Sequence, residues 1–320
     1  MRAAAVIVVV GLCAGLLGAA APAAERRIPG ADAVRACAGA GPYWPTMTLA
    51  LRATTAWVAC KEEARLVRID LARGKTLARV RLPGAPVAVA LGYGSLWALD
   101  SATLYRLDAD TGRIARRVSL GATAPYNIWV GGGSVWVADD QGARVLRVSP
   151  GTNRVVARVA VGGGPSDMAF TATHAWVIDH RDRTLFRIDL RTNAPTRLTA
   201  VGGDAAERLV LLRGSLWVTG RGTPLLQVDP ETGATTRSID IGGTGIDVVA
   251  AAGALWIPVR TPDVDRAGFP TMTAVRRVTP DGRVTTAAVA RGRVDVHGLA
   301  AVGAAVWLAD NTDGFVYRLR

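Results

Sequence analysis

The chain has 320 residues, half of them hydrophobic and 20% charged, which excludes general disorder and allows one large core. Its formal net charge is +12, carried almost wholly by arginine, with Lys61 and Lys75 the only lysines. The arginines are spread along the chain rather than gathered in a tail, so a solvated, repeat-encoded charge pattern is expected and nucleic acid is not the expected partner.

The chain opens on Arg2 and an apolar run over residues 3–21, followed by Pro22, Ala23 and Ala24. This pattern predicts an export signal over 1–24, leaving 25–320 as one domain that is secreted or periplasmic. The same run read as an uncleaved anchor is the alternative. No later segment has the length and polarity of a membrane helix, so no membrane contact is expected beyond the signal, and a monomer is expected. Loss of the signal takes Cys13 with it and leaves Cys37 and Cys60. In an oxidising compartment these two can form one disulfide. Two small buried thiols are the rival reading. The sequence has no CxxC motif and no Cys/His cluster that would hold zinc.

From residue 57 onward the chain repeats itself. Trp57, Trp97, Trp136, Trp176, Trp217, Trp256 and Trp307 each sit in a short apolar segment, at intervals of 40, 39, 40, 41, 39 and 51 residues. A period near 40, built of short alternating runs and glycine-rich turns without helical periodicity, predicts blades of four antiparallel strands, A to D. The fold expected is all-β, a seven-bladed β-propeller. In the fourth repeat, strand A is placed near 167–171, B at 174–179, C at 184–189 and D near 196–201. Turns of the form Asp-x-x-Thr-Gly follow strand C at Asp108 and Asp229. An arginine recurs in strand C (Arg68, Arg106, Arg147, Arg187, Arg277, Arg318), and its recurrence favours blade building over ligand binding.

The last repeat stops after three strands. Residues 35–42 align with residues 158–165, which end a strand D, so the N-terminal segment is expected to supply the outer strand of blade 7 and close the ring. This register puts Cys37 and Cys60 on one face, in adjacent blades.

The repeat Gly-x-Leu/Val-Trp-Val, Leu-x-Arg-Ile-Asp, Thr-Gly resembles the YVTN/NHL-type propellers and, among them, the streptogramin (virginiamycin B) lyase-like proteins. The resemblance covers essentially all of residues 25–320. It implies the propeller fold, and it carries activity far less well than fold.

Counting back from each Trp locates the central mouth, where strand A begins. Eight residues before, every position is apolar (Leu49, Val89, Ile128, Met168, Leu209, Val248, Leu299) and is expected in the core. Nine and ten residues before, the positions vary, and blades 3 to 7 supply most of the polar groups: Tyr126, Asn127, Asp167, Glu207, Arg208, Asp247 and His297. A concave mouth with convergent polar groups is the expected site for a small molecule, protein or glycan. His297 lies two residues after Asp295 and just before Gly298. The resemblance implies a base at such a His-Gly, with Mg²⁺ nearby, in an elimination that opens a cyclic lactone. His297 and Asp295 would then be catalytic; the alternative is a hydrogen-bonded histidine at a turn. The pattern departs from the resemblance at Ile246, where a second histidine is expected, and at Met47, where a tyrosine is expected. Blade 6 carries an insertion, since Trp256 to Arg277 spans 21 residues. Its loop, with Asp263, Asp265 and Phe269, is read as a lid on the mouth or as neutral drift. The function expected is a binding protein. A Mg²⁺-dependent lyase and a scaffold using its arginine-rich rim are the alternatives.

Overall fold

The computed structural model describes residues 28, 31–38, 47–201, 205–222, 224–264, 270–290, 294, 296–312 and 314–319. The export signal expected over 1–24 lies outside these residues. The described chain forms seven antiparallel sheets, one per Trp repeat, with a single 3₁₀ turn at Lys61–Glu63. No helix among the described residues is long and apolar enough to cross a membrane.

Blade 4 is representative, with strands Pro165–Phe170, His174–Asp179, Thr184–Asp189 and Pro195–Ala200 in meander order. Strand B is fully buried around the motif Trp, because both of its faces pack against neighbouring blades. The first strand of each blade packs against the first strand of the next all the way round, including blade 7 against blade 1. The ring is therefore closed. Blade 7 combines Val296–Val302, Ala305–Asp310 and Phe315–Leu319 with Asp32–Arg35, which pairs antiparallel with the last strand. The apolar positions eight before each Trp are buried from Leu49 to Val248, and Leu299 is half-buried.

Among the described residues the blades share no sheet hydrogen bonds, so side chains join them. Trp57 Nε1 donates to Ala109 O in the strand C–D turn of the next blade (2.8 Å), and Trp176 Nε1 donates to Pro230 O (2.8 Å). Gly112 ends one of these turns at φ +72°, and a Cβ there would lie 2.6 Å from the Trp57 ring, so glycine is required twice over. The recurring strand C arginine does the same work. Arg147 lies 5.4 Å from the Trp136 ring centroid and donates to Ser134 Oγ (2.8 Å), Leu190 O (2.6 Å) and Asn193 Oδ1 (2.7 Å). Arg106 repeats this geometry on Trp97, Ser95, Pro150 and Asn153. Arg68 reaches Asp110, and Arg187 reaches Glu231.

Cys37 follows the closing strand and Cys60 ends strand B of blade 1; a disulfide joins them across the seam, with Cα atoms 5.6 Å apart. Ala38 N–H donates to Glu63 Oε1 beside it (2.6 Å).

Two stability outcomes follow. Arg147→Ala removes charge-assisted bonds to two carbonyl groups and a ring contact, and should cost about 2–3 kcal/mol in urea unfolding. Opening the disulfide by Cys60→Ser releases a loop of sequence separation 23. That should cost about 3 kcal/mol, read as a lowered Tm that added reductant does not lower further.

Candidate functional site

The mouth is shaped by an irregularity in strand A. In blades 3, 4, 5 and 7 the A–B register shifts between Pro125 and Asn127, Pro165 and Asp167, Ala206 and Arg208, and Val296 and Gly298. The extra residue in each bulge is Tyr126, Ser166, Glu207 or His297. In blade 6 strand A is split into Thr244–Gly245 and Val249–Ala251, with Ile246 N–H bonded to Pro258 O (2.9 Å). Blades 1 and 2 pair without a break. A bulge bends its strand and re-aims side chains, a device common beside functional sites. The same five blades carry the variable polar residues, so the lopsided composition has a lopsided backbone under it.

Asp167 is the hub. Its Oδ1 accepts from Trp129 Nε1 (2.8 Å) and Met168 N–H (2.8 Å), and its Oδ2 accepts from Leu209 N–H in blade 5 (2.8 Å). Burial pushes its carboxyl up to about 6, against the opposing pull of the Arg208 guanidinium and the Leu209 and Met168 amides. Arg208 Nε lies 3.7 Å from Asp247 Oδ1, with side chains 29% and 20% exposed, so the pair is open to the mouth. Burial works against the Arg208 charge, and the carboxylates of Asp247 and Asp167 outweigh it, raising its pKa. Asp247 Oδ1 also accepts Val248 N–H (2.8 Å). Tyr126 donates its hydroxyl to Pro165 O, and burial raises its pKa. Asn127 Oδ1 accepts Ile128 N–H (2.9 Å). Glu207 is half-buried, and its carbonyl accepts from Arg208 Nη1 (3.2 Å).

Tyr126, Asp167, Arg208, Glu207 and Asp247 therefore form one electrostatically connected arc across blades 3 to 6. Asn127 sits in the same arc with its carbonyl oxygen spent locally. His297 is placed by its backbone in Val296–Val302, whereas its side chain, Asp295, Asp265 and Phe269 lie outside the described residues. Asp263 falls within strand B of blade 6. The blade 6 insertion is a hairpin extension rather than an open loop: Ala254–Val264 and Pro270–Val278 run on past their neighbours and pair again at Val264 and Pro270, after a shift beyond Arg260.

Sequence reasoning passed over Trp129, which anchors Asp167. The available signal was that Trp129 is a tryptophan off the repeat, at a position where blades 1, 2, 4 and 7 carry alanine. It also passed over the Asp140–Arg181 ion pair (2.6 Å), which links the strand B–C turns of blades 3 and 4.

The arc holds three carboxylates and one guanidinium, which suits a cationic or hydrogen-bond-donating group. The carboxyl near 6 can also exchange a proton close to neutral pH. The lyase resemblance calls for Mg²⁺. Among the described residues, however, three candidate ligand atoms converge only at Cys37, Cys60 and Glu63, where both sulfurs are bonded to each other. The described mouth residues do not fit a metal.

Fold and mouth together define a seven-bladed β-propeller with a one-sided polar mouth. No protein-family model matches the sequence, and no curated protein sequence matches it. Solved structures do. The virginiamycin B lyase of Staphylococcus aureus superposes with a TM-score of 0.73 at 17% identity, over 90% of this chain and 98% of the lyase. The same enzyme in a catalytically inactive variant, with quinupristin, gives 0.70 at 16% identity over 86% and 95%. BamB of Moraxella catarrhalis gives 0.60 at 13% identity over 86% and 83%. These likenesses establish the shared propeller fold.

The Asp167 carboxyl has a sign-definite consequence. Its folded pKa of about 6 exceeds the ordinary 3.8, so its contribution to stability is present below the ordinary value and is lost as pH rises through about 6. Urea unfolding from about pH 4 to about pH 7 should show this loss, and Asp167→Asn should flatten it.

Proposed function

We propose that this chain is an exported binding propeller that holds a small molecule, or a segment of a macromolecular partner, at its mouth through a cationic group. The observation that carries the reading is the Asp167–Arg208–Asp247 line. Two carboxylates bracket one guanidinium on bulged or split strands, and Glu207 adds a third carboxylate, in a chain whose overall charge is strongly positive. A cation entering here replaces water around carboxylates that are already partly desolvated, which strengthens the contact. The quinupristin-bearing lyase propeller supports a binding role for this architecture without naming the ligand here.

A Mg²⁺-dependent, lactone-opening lyase is the second reading, favoured by His297 forming a strand A bulge at the mouth. Ile246 and Met47 stand where the resemblance expects histidine and tyrosine, and they weigh against the same mechanism.

A thermal-shift screen of the protein lacking residues 1–24, against organic cations, organic anions and cyclic depsipeptides with and without Mg²⁺, separates the readings. Binding predicts stabilisation by a cation. Its affinity should fall about tenfold or more in Asp247→Asn and weaken as pH drops through about 6. Preference for anions, or unchanged affinity in Asp247→Asn, would overturn it. Mg²⁺-dependent turnover of a cyclic depsipeptide that His297→Ala abolishes would establish the lyase. Salt-sensitive retention on anionic polymers, indifferent to both substitutions, would move the role to the outer arginines.

A further inference from the structure

In blades 1 to 4 the residue three after the motif Trp stands where strand B gives way to the turn to strand C, and the blades treat it differently. In blade 1 it is Cys60, tied to Cys37. In blade 2 it is Asp100, whose Oδ1 accepts Ala102 and Thr103 N–H and whose Oδ2 accepts the Tyr105 hydroxyl (2.8 Å). In blade 3 it is Asp139, whose Oδ1 accepts Thr123 and Ala124 N–H and whose Oδ2 pairs with Arg144 Nε (2.8 Å). Each of these aspartates has both oxygens satisfied.

Blade 4 departs from blades 2 and 3. Asp179 is 0% exposed, and its Oδ1 accepts Arg181 N–H (2.9 Å) and Asp182 N–H (3.2 Å). Its Oδ2 is buried with no hydrogen-bond partner. The position that pairs across the ladder with it, held by Arg144 in blade 3, is Thr184, whose hydroxyl donates to Asp182 O instead (3.1 Å). Two residues before Thr184, where blade 3 has Gly142, stands a second carboxylate, Asp182. Both carboxylates border one point: a Cβ on Gly162 would lie 1.9 Å from Asp179 Oδ2 and 3.3 Å from Asp182 Oδ2. Two neighbouring cations are engaged elsewhere: Arg181 extends to Asp140 Oδ2 (2.6 Å), and Arg197 Nη2 donates to Thr184 Oγ1 (3.1 Å). Asp182 itself is exposed.

We infer that Asp179 and Asp182 form a cation site at the junction of the Gly162–Gly163–Gly164 turn and the strand B–C turn of blade 4. A buried carboxylate oxygen without a donor is costly, and a cation removes that cost. The donors are all oxygen, which selects a hard ion. Two carboxylates completed by backbone carbonyls and water suit the irregular shell of Ca²⁺ better than the strict octahedron of Mg²⁺. The site is separate from the Asp167–Arg208–Asp247 arc and does not depend on what binds there. The blade 3 arginine and the blade 4 ion are two answers to the same buried carboxylate.

The test uses chelator-treated protein titrated with CaCl₂ or MgCl₂, followed by calorimetry and thermal melting. CaCl₂ should bind saturably with a Kd on the order of 0.1–1 mM, and it should raise Tm by about 2–4 °C at ten times Kd. Asp182→Asn changes an exposed side chain, so it should fold and bind Ca²⁺ at least about tenfold more weakly. Thr184→Arg supplies the partner that Asp139 has, and should melt no lower than the chelated parent while losing the Ca²⁺ response. No saturable Ca²⁺ binding, or an undiminished response in Asp182→Asn, overturns the site. A response to MgCl₂ as strong as to CaCl₂ overturns the calcium assignment.

Discussion

The sheet ladder of a propeller blade runs only within itself, so the ring depends on how each blade grips the next. Here the grip is an arginine on strand C, joined in blades 1 and 4 by the strand B tryptophan, reaching the strand C–D turn of the following blade. Trp57 and Arg68 hold Ala109 and Asp110; Arg147 holds Leu190 and Asn193; Trp176 and Arg187 hold Pro230 and Glu231. The turn must therefore present its carbonyls outward, which requires a left-handed residue near its end: Gly112, Asn153, Asn193 or Gly233. Blade 5 shows how tolerant the device is. Gln227 replaces the arginine and donates to Ser215 Oγ, while Arg237 of strand D reaches Asp281 O of blade 6 (2.6 Å).

The seam is where this device has nothing to hold. Strands C and D of blade 7 come from opposite ends of the chain, so no turn joins them. Trp256, the blade 6 tryptophan that faces the seam, is buried with its Nε1 lacking a hydrogen-bond partner, a feature it shares with Trp217 of blade 5. Ile28 and Ala31 pack into the same apolar cluster as Trp256 and cover it by burial alone. On the other side of blade 7 the Cys37–Cys60 bond ties the closing strand to blade 1. The N-terminal segment thus replaces a polar staple with an apolar cap on one side and a covalent one on the other.

The repeat made strands B and C legible to the residue in blade 4, because their ends are set by the Trp segment and the Leu-Phe-Arg-Ile-Asp run. Strand A of that blade starts two residues earlier than its pattern indicates, since a bulge leaves no mark in the alternation of apolar residues. The mouth positions were legible as a ring of variable residues, whereas their partners were not. Nothing in the sequence couples Asp167 to an amide 42 residues away, or separates Asp139 with its arginine from Asp179 without one, until the strands are in register. The blade 6 insertion was legible as length. That it continues as paired strands depends on a register shift after Arg260 that composition does not encode.

The strongly basic composition and the acidic arc belong to different parts of the molecule, and the difference decides what the net charge means. The outer strands of blades 1 to 3 carry Lys75, Arg79, Arg81, Arg116, Arg117, Arg154 and Arg158, all exposed, and no acidic residue. These strands are sheet edges, where cationic side chains discourage pairing with another chain. Four of the recurring strand C arginines, Arg68, Arg106, Arg147 and Arg187, are spent on the grip between blades. Little of the positive charge is therefore aimed at the mouth, and solvent ions screen the outer strands beyond about 8–10 Å. At the mouth the nearby, partly desolvated carboxylates outweigh the distant surplus, because the interaction strengthens as separation and dielectric fall together. A ligand there meets the local arc rather than the +12 of the whole chain.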